Sequence, residues 1–193
     1  MTIYDLKPKF QDLLRPIVRK CASKGYTANQ VTLFALFLSF ISGLIILLAS
    51  FNIKLLLLIP IIMFIRMALN AIDGMIAKEH DMKTKKGAIL NELSDVLSDV
   101  FLYLPFILFL DIYLVVIVVI LSIISEFTGV LFQAVYNDRR YDGPMGKSDR
   151  AFLFGLISLL LVFNVNIVFL NILLAISIIL LVITIYNRLK GCL

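Results

Sequence analysis

Nine polar or ionisable side chains stand in stretches of this chain that are apolar enough to enter a bilayer. They are Arg66, Asn70 and Asp73, then Asn91, Glu92, Asp95 and Asp99, and further on Glu126 and Gln133. A charge at the centre of a membrane helix costs ~2.5–3.5 kcal/mol to insert, so it needs a partner or a task. Asn70 and Asp73 stand i and i+3, which puts them on one helix face. Asn91, Asp95 and Asp99 stand i, i+4 and i+8, and at ~100° per residue they and Glu92 share an arc of about 100°. Two antiparallel helices joined near Met82 and Lys83 would bring Asp73 level with Asn91 and Glu92, Asn70 level with Asp95, and Arg66 level with Asp99. Carboxylate and amide oxygens around one point suit a hard divalent cation. The small residues Ala71, Gly74 and Ala77 leave room for another backbone or a flat ligand. The alternative is structural, with interhelical hydrogen bonds and one Arg–Asp pair holding a bundle together.

The elements that must carry these residues follow from composition. The chain has 193 residues, 61% of them hydrophobic and 16% charged, with mean hydropathy +1.02. At ~20 residues per span, that length accommodates about six transmembrane helices. The apolar runs are continuous instead of alternating, which argues against a β-barrel. The expected fold is therefore an all-α integral membrane bundle, with spans near 30–51, 55–78, 87–110, 112–136, 149–164 and 167–187. Asn52 with Lys54, Asp111, and Asn164 to Asn166 mark turns, while Pro60 and Pro105 fall inside spans. Residues 1–26 alternate apolar and basic positions, among them Leu6, Phe10, Leu14 and Val18 against Lys7, Lys9, Arg15 and Arg19. That pattern predicts an amphipathic helix lying in the headgroup plane, interrupted near Pro16. It is too polar for a cleavable signal. Residues 27–193 form the bundle, with Thr27 to Gln30 offering caps to its first helix. Cys21 and Cys192 read as unpaired thiols, and His80, the single histidine, as a solvated loop residue.

Sixteen of the eighteen Lys and Arg residues fall on one side of this topology, with Lys54 opposite and Arg66 within a span. Both termini and the loops at 78–86 and 139–150 are therefore expected on the cytoplasmic side. This bias accounts for the net charge of +5 without a nucleic-acid partner, and it favours anionic membrane lipids at the basic face. Arg139 and Arg140 read as part of that ordinary anchoring.

The stretch Asn70 to Asp95 reads N-A-I-D-G-M-I-A-K-E-H-D-M-K-T-K-K-G-A-I-L-N-E-L-S-D. It is similar to the signature of the CDP-alcohol phosphotransferases, D-x2-D-G-x2-A-R-x8-G-x3-D-x3-D, at every spacing. The R-M-A-L-N-A-x-D-G run and the later G-K-S-D-R segment resemble a bacterial subgroup of Ynb type, with Asn at the first and third motif Asp positions. The resemblance implies a phospholipid-synthesis enzyme. It would transfer a substituted phosphate from a CDP-linked donor, usually CDP-diacylglycerol, to a small alcohol acceptor, releasing CMP. It implies one or two divalent cations, Mg2+ or Mn2+, held by Asp73, Asn70, Asn91 and Asp95, with Glu92 or Asp99 as replacement charges. It further implies Asp95 as general base, Gly74, Ala77, Lys78 and Gly87 around the nucleotide and diphosphate, and a homodimer, for which Gly129 and Gly155 offer small interface residues. This chain departs from the signature at Asn70, Asn91 and Lys78, the last replacing an Arg that could bind phosphate bidentately.

Gly143 to Arg150 forms a Gly- and Pro-containing turn before the fifth span, and Lys147 and Arg150 are expected to face the cytoplasmic mouth and bind an acceptor or phosphate. A non-catalytic lipid-binding or partner subunit with a degenerate motif is the alternative. CMP release separates the two. A small transporter should show internal symmetry, and none is evident.

Overall fold

The computed structural model describes the backbone of residues 3–190 and the side chains of residues 10–190. Cys192 and the side chains of Leu6, Lys7 and Lys9 lie outside these described residues. Within them the regular structure is helical: α1 (Ile3–Ser23), α2 (Ala28–Leu48), α3 (Leu58–Glu79), α4 (Lys85–Tyr103), α5 (Ile112–Tyr136), α6 (Lys147–Val162) and α7 (Ile167–Leu189).

Side-chain caps set most of these boundaries. Thr27 and Gln30 form a reciprocal box at the start of α2, with Thr27 N donating to Gln30 Oε1 at 2.9 Å and Gln30 N to Thr27 Oγ1 at 3.3 Å, which satisfies two otherwise orphaned donors. Thr84 accepts from Gly87 N to open α4, Asp111 from Leu114 N to open α5, and Asn166 from Val168 N to open α7. Pro60 falls in the first turn of α3, where its missing N–H costs nothing. Pro105 acts more sharply than expected. The α-helix stops at Tyr103, and a 3-10 turn, Leu104–Leu108, carries the chain onward. Pro16 does the opposite of what its type predicts, because α1 runs through it unbroken. Leu14 and Val18 are buried against Ile72, Met75 and Ile76 of α3, and Arg15 bonds Asp12 at 2.7 Å and reaches Glu79 at 3.4 Å. Contacts on both sides of the proline hold the axis.

Four elements are long and apolar enough to cross a membrane: α2, the 3-10 turn at 53–57 together with α3, α5, and α7. The remaining two expected spans are less apolar. α4 carries Lys85, Lys86, Glu92, Asp95 and Asp99, and α6 is 16 residues long and opens with Lys147, Asp149 and Arg150. Phe37, Phe64, Phe127 and Ile179 point outward from the bundle, a surface suited to lipid and not to water. The chain is an integral membrane protein.

α2 packs on α3 and α4, α5 on α7, α3 on α6, and α1 on α3. Gly43 lets α2 close on α4, since a Cβ there would meet Phe101 O at 2.5 Å. Tyr103 stacks on Phe154 with centroids 4.3 Å apart, in a core that includes Met63, Phe106, Val115 and Leu174. The small residues considered for a contact between copies are used inside the chain. A Cβ on Gly129 would strike Arg139 Nη1 and Arg140 O, and Gly155 faces Pro60 and Met63.

The charges of the bundle meet in one lattice. Arg150 of α6, fully buried, donates to Asp99 Oδ2 of α4 from Nε at 3.1 Å and from Nη2 at 2.6 Å, and to Glu126 Oε1 of α5 at 2.9 Å. Its Nη1 donates to Met145 O at 3.2 Å. Arg139 donates to Glu92 at 2.8 Å and to Glu126 at 3.1 Å. Arg188 of α7 donates to Ser125 O and lies 3.7 Å from Glu126. The expected Arg66–Asp99 pair is present, but at 3.7 Å, and no Arg66 nitrogen makes a hydrogen bond among the described residues. Arg150 is therefore the stronger partner of Asp99.

Arg150→Met strands two buried carboxylates, and losing one side of such a pair costs about 3–5 kcal/mol. Thermal unfolding in detergent should show a much larger loss for Arg150→Met than for Arg66→Met. Combining Arg150→Met with Asp99→Leu should cost less than the sum of the single changes, and simple additivity would mean the pair is not coupled.

Candidate functional site

Two of the levels counted along the chain meet between α3 and α4, Asn70 with Asp95 and Arg66 with Asp99. Asn70 Nδ2 of α3 donates to Asp95 Oδ1 of α4 at 3.3 Å. One turn toward the loop from Asn70, Asp73 Oδ2 accepts from Thr32 Oγ1 of α2 at 2.7 Å. Asp73 and Asp95 are both buried, and each lies within Coulombic reach of the other and of Lys147. Lys147, the first residue of α6, closes the group from the opposite side, with its ammonium against Asp95 Oδ2. Asn91 is half-buried at the same end of α4, with no hydrogen-bond partner among the described residues. The centre of the cluster is thus Asn70, Asp73, Asp95, Thr32 and Lys147, with Asn91 one helical turn from Asp95 along α4.

Other residues singled out from the sequence go elsewhere. Glu92 is held by Arg139 and Asp99 by Arg150, so neither carboxylate is free to replace the charges absent at Asn70 and Asn91. Arg150 does not face the mouth. It is sealed behind the cluster, because two carboxylates and a carbonyl draw it inward. Arg139 does more than anchor a loop, since its guanidinium joins α4 to α5. Gly87 is needed for close packing, because a Cβ there would lie 2.7 Å from Asn29 Oδ1. Gly74, by contrast, is exposed and a Cβ would meet none of the described residues within 4 Å, which leaves an open face one residue from Asp73. Ala77 is half-buried against the α1–α3 contact, and Lys78 and His80 are exposed. Thr32, Arg139 and Arg188 were not assigned to the cluster from the sequence. Of these only Thr32 carried a local signal, a hydroxyl one turn inside the capped start of α2.

The donor set can be tested for a cation. A hard divalent ion takes six or more oxygens, with carboxylates supplying the charge. Here the charge comes from Asp73 and Asp95 alone, and the amide oxygens of Asn70 and Asn91 can add neutral ligands. Among the described residues no group of three Asp, Glu, His or Cys side chains converges. This set fits one ion completed by solvent or substrate oxygens. It does not fit a carboxylate-bridged pair.

Comparison with known proteins agrees with this geometry. Residues 26–184 match the sequence profile of the CDP-alcohol phosphatidyltransferase family. The chain is 52% identical over 159 residues to the inner membrane protein YnbA of Escherichia coli K12, covering 81% of this chain and 78% of that one. Its fold is similar to phosphatidylinositol phosphate synthase (PgsA1) of Mycobacterium tuberculosis with CDP-DAG bound, at TM-score 0.74, 20% identity and coverage of 91% and 90% of the two chains. The same enzyme in complex with manganese and citrate superposes equally well, at TM-score 0.74, 20% identity and coverage of 91% and 86%. The motif spacing, the helical membrane architecture and these matches together place the chain in the CDP-alcohol phosphatidyltransferase family, as a transferase of substituted phosphate groups in phospholipid synthesis.

Proposed function

We propose that the chain transfers a phosphatidyl group from CDP-diacylglycerol to a small alcohol and releases CMP. The observation that carries this reading is the burial of the two retained motif acids, Asp73 and Asp95, within Coulombic reach of each other and next to the exposed Gly74. In the reaction, the acceptor oxygen bonds to the phosphorus that carries the diacylglycerol, and the anhydride bond to CMP breaks with its electron pair leaving on CMP. Asp95 takes the acceptor proton. Its Oδ1 holds the Asn70 amide and its Oδ2 the Lys147 ammonium, and each carboxylate oxygen keeps a second acceptor site. Thr32 and Asn70 orient the two acids, so that little reorganisation is needed when substrate arrives.

Transfer of this kind depends on positioning and charge neutralisation more than on covalent catalysis. Lys147 supplies positive charge toward the transferred phosphate or a phosphate-bearing acceptor. Lys78, exposed at the end of α3, supplies it to the donor diphosphate. Gly74, with Ala77 and Gly87, keeps the path of the cytidine nucleotide clear of side chains. A divalent ion, Mg2+ or Mn2+, held by Asp73 and Asp95 with the amide oxygens of Asn70 and Asn91, would neutralise further diphosphate charge when bound. The manganese and CDP-DAG complexes of PgsA1 support this choice of cation and donor. Glu92 and Asp99 take no part, being committed to arginines.

In this reading α2 to α7 cross the bacterial cytoplasmic membrane six times, as the domain 27–193. Residues 1–26 lie along the headgroups. The termini and the site face the cytoplasm, on the side of the basic loops. Homodimeric assembly belongs to the reading by family likeness alone, because Gly129 and Gly155 are occupied within the chain.

Asp73→Asn and Asp95→Asn should each lower CMP release from CDP-diacylglycerol by about 10²–10⁴-fold with the protein still folded in detergent. Near-normal turnover in either variant would remove that residue from the mechanism. Gly74→Ala puts a methyl group into open space, so its thermal midpoint should stay close to that of the parent. Its KM for the CDP-linked donor should rise roughly tenfold, in the range a single methyl group commands in a fitted pocket. An unchanged KM would take Gly74 out of the nucleotide path.

A further inference from the structure

We propose that the Lys147 ammonium is a built-in cation that stands in for a second divalent ion, so that this chain binds one metal ion per active site and not two. The inference rests on the reading of Asp73 and Asp95 as the metal-holding acids, and it concerns what surrounds them.

Three observations converge on it. The first is position. Lys147 contacts Asp95 directly and lies within Coulombic reach of Asp73, Glu92 and Glu126 as well. Glu92 and Glu126 already have arginine partners, so the Lys147 ammonium stands where a metal ion would otherwise balance Asp95 and Asp73. The second is anchorage. Asp149 caps the start of α6 through Gly146 N at 2.9 Å, Thr184 of α7 holds Met145 N at 2.9 Å, and Arg150, three residues on, is locked by Asp99 and Glu126. The backbone of Lys147 is therefore fixed from both sides.

The third is the chemistry of Asn70. An ionised aspartate there would face Asp95 as a like charge and would require a bridging cation. The amide instead donates a hydrogen bond to Asp95 at 3.3 Å. The carboxylate acceptor determines which amide atom points at it, since only Nδ2 can donate. The side chain is thus turned from a charged ligand into a donor, and Asn91 likewise brings no charge. Set against the four aspartates of the family signature, two negative charges are gone, and the Lys147 ammonium already stands against Asp95. A second divalent ion would add surplus positive charge to such a site.

Mn2+ binding to the purified full chain in lipid nanodiscs tests this by calorimetry and electron paramagnetic resonance. The parent chain should bind one Mn2+, with the spectrum of an isolated ion. The triple substitution Lys147→Gln, Asn70→Asp, Asn91→Asp should bind two and show spin coupling between ions ~3.5–4 Å apart. Two ions in the parent, none in the parent, or a single ion in the triple variant would each overturn the proposal. Lys147→Gln alone provides the measurement if the triple variant does not fold. Its single site should bind Mn2+ at least about tenfold more tightly, the scale on which a neighbour of a ligand acts, and an unchanged Kd would overturn the proposal. These readouts do not depend on turnover. Absence of CMP release with every alcohol tried would sink the phosphatidyl-transfer reading while the ion count still decided the role of Lys147.

Discussion

A guanidinium with no exposed surface stays charged inside a membrane bundle only where carboxylates meet it, and Arg150 meets two. Asp99 arrives from α4 and Glu126 from α5, while Arg150 itself opens α6. One side chain thereby fixes the relative heights of three helices. Removing the charge from water is costly, and the attraction offsets that cost only when geometry and hydrogen bonds are good. Four donor contacts from Arg150, the last to Met145 O, meet that condition. Once α6 is held at this height, its first residue can stand only near Asp95. The position of Lys147 at the candidate site is thus a consequence of the pairing one turn deeper.

The same lattice divides the acids between two uses. Glu92, Asp99 and Glu126 are all taken by arginines from loop, helix start or helix end. Asp73 and Asp95 are met instead by a hydroxyl, an amide and a lysine. Arginine holds a carboxylate through a planar fork and keeps its proton under any condition relevant here, whereas lysine is a flexible point charge. The structural pairs are therefore rigid and the pair at the candidate site is exchangeable. A phosphate could compete with Asp95 for Lys147. It could not draw Arg150 away from two carboxylates without exposing both.

What could be read from the sequence follows from this division. Asn70 opposite Asp95 and Arg66 opposite Asp99 came from counting residues outward from a short loop, and the α3–α4 hairpin preserves that count because both segments are regular helices. Helix limits were legible where a cap or a turn residue stood, as at Thr27, Asp111 and Asn166. The partners of the acids were not legible. Arg139, Arg150 and Arg188 approach from the loop before α6, from α6 and from α7, and no periodicity within one segment announces a contact 13 to 63 residues away. A basic side chain near a membrane surface looks the same in sequence whether it faces lipid headgroups or turns inward. Pro16 and Pro105 show the same limit from another direction. Both lack the N–H that a helix interior uses, yet packing against α3 carries α1 through Pro16, while α4 gives way at Pro105 to a 3-10 turn.

The departures from the family signature at Asn70 and Asn91 share one electrostatic consequence. Asn70 and Asn91 are neutral in a site whose other wall already carries Lys147. A second carboxylate at position 70 would press against Asp95 across the 3.3 Å now spanned by a hydrogen bond. Like charges at that separation cannot both remain ionised without a cation between them. Lys147 is already committed to the far oxygen of Asp95 and could not serve both sides at once. The amide resolves the conflict from within the hairpin, as it needs no counterion and donates to the acid it faces. Neutral side chains at Asn70 of α3 and Asn91 of α4 and a lysine at the start of α6 are thus parts of one electrostatic arrangement.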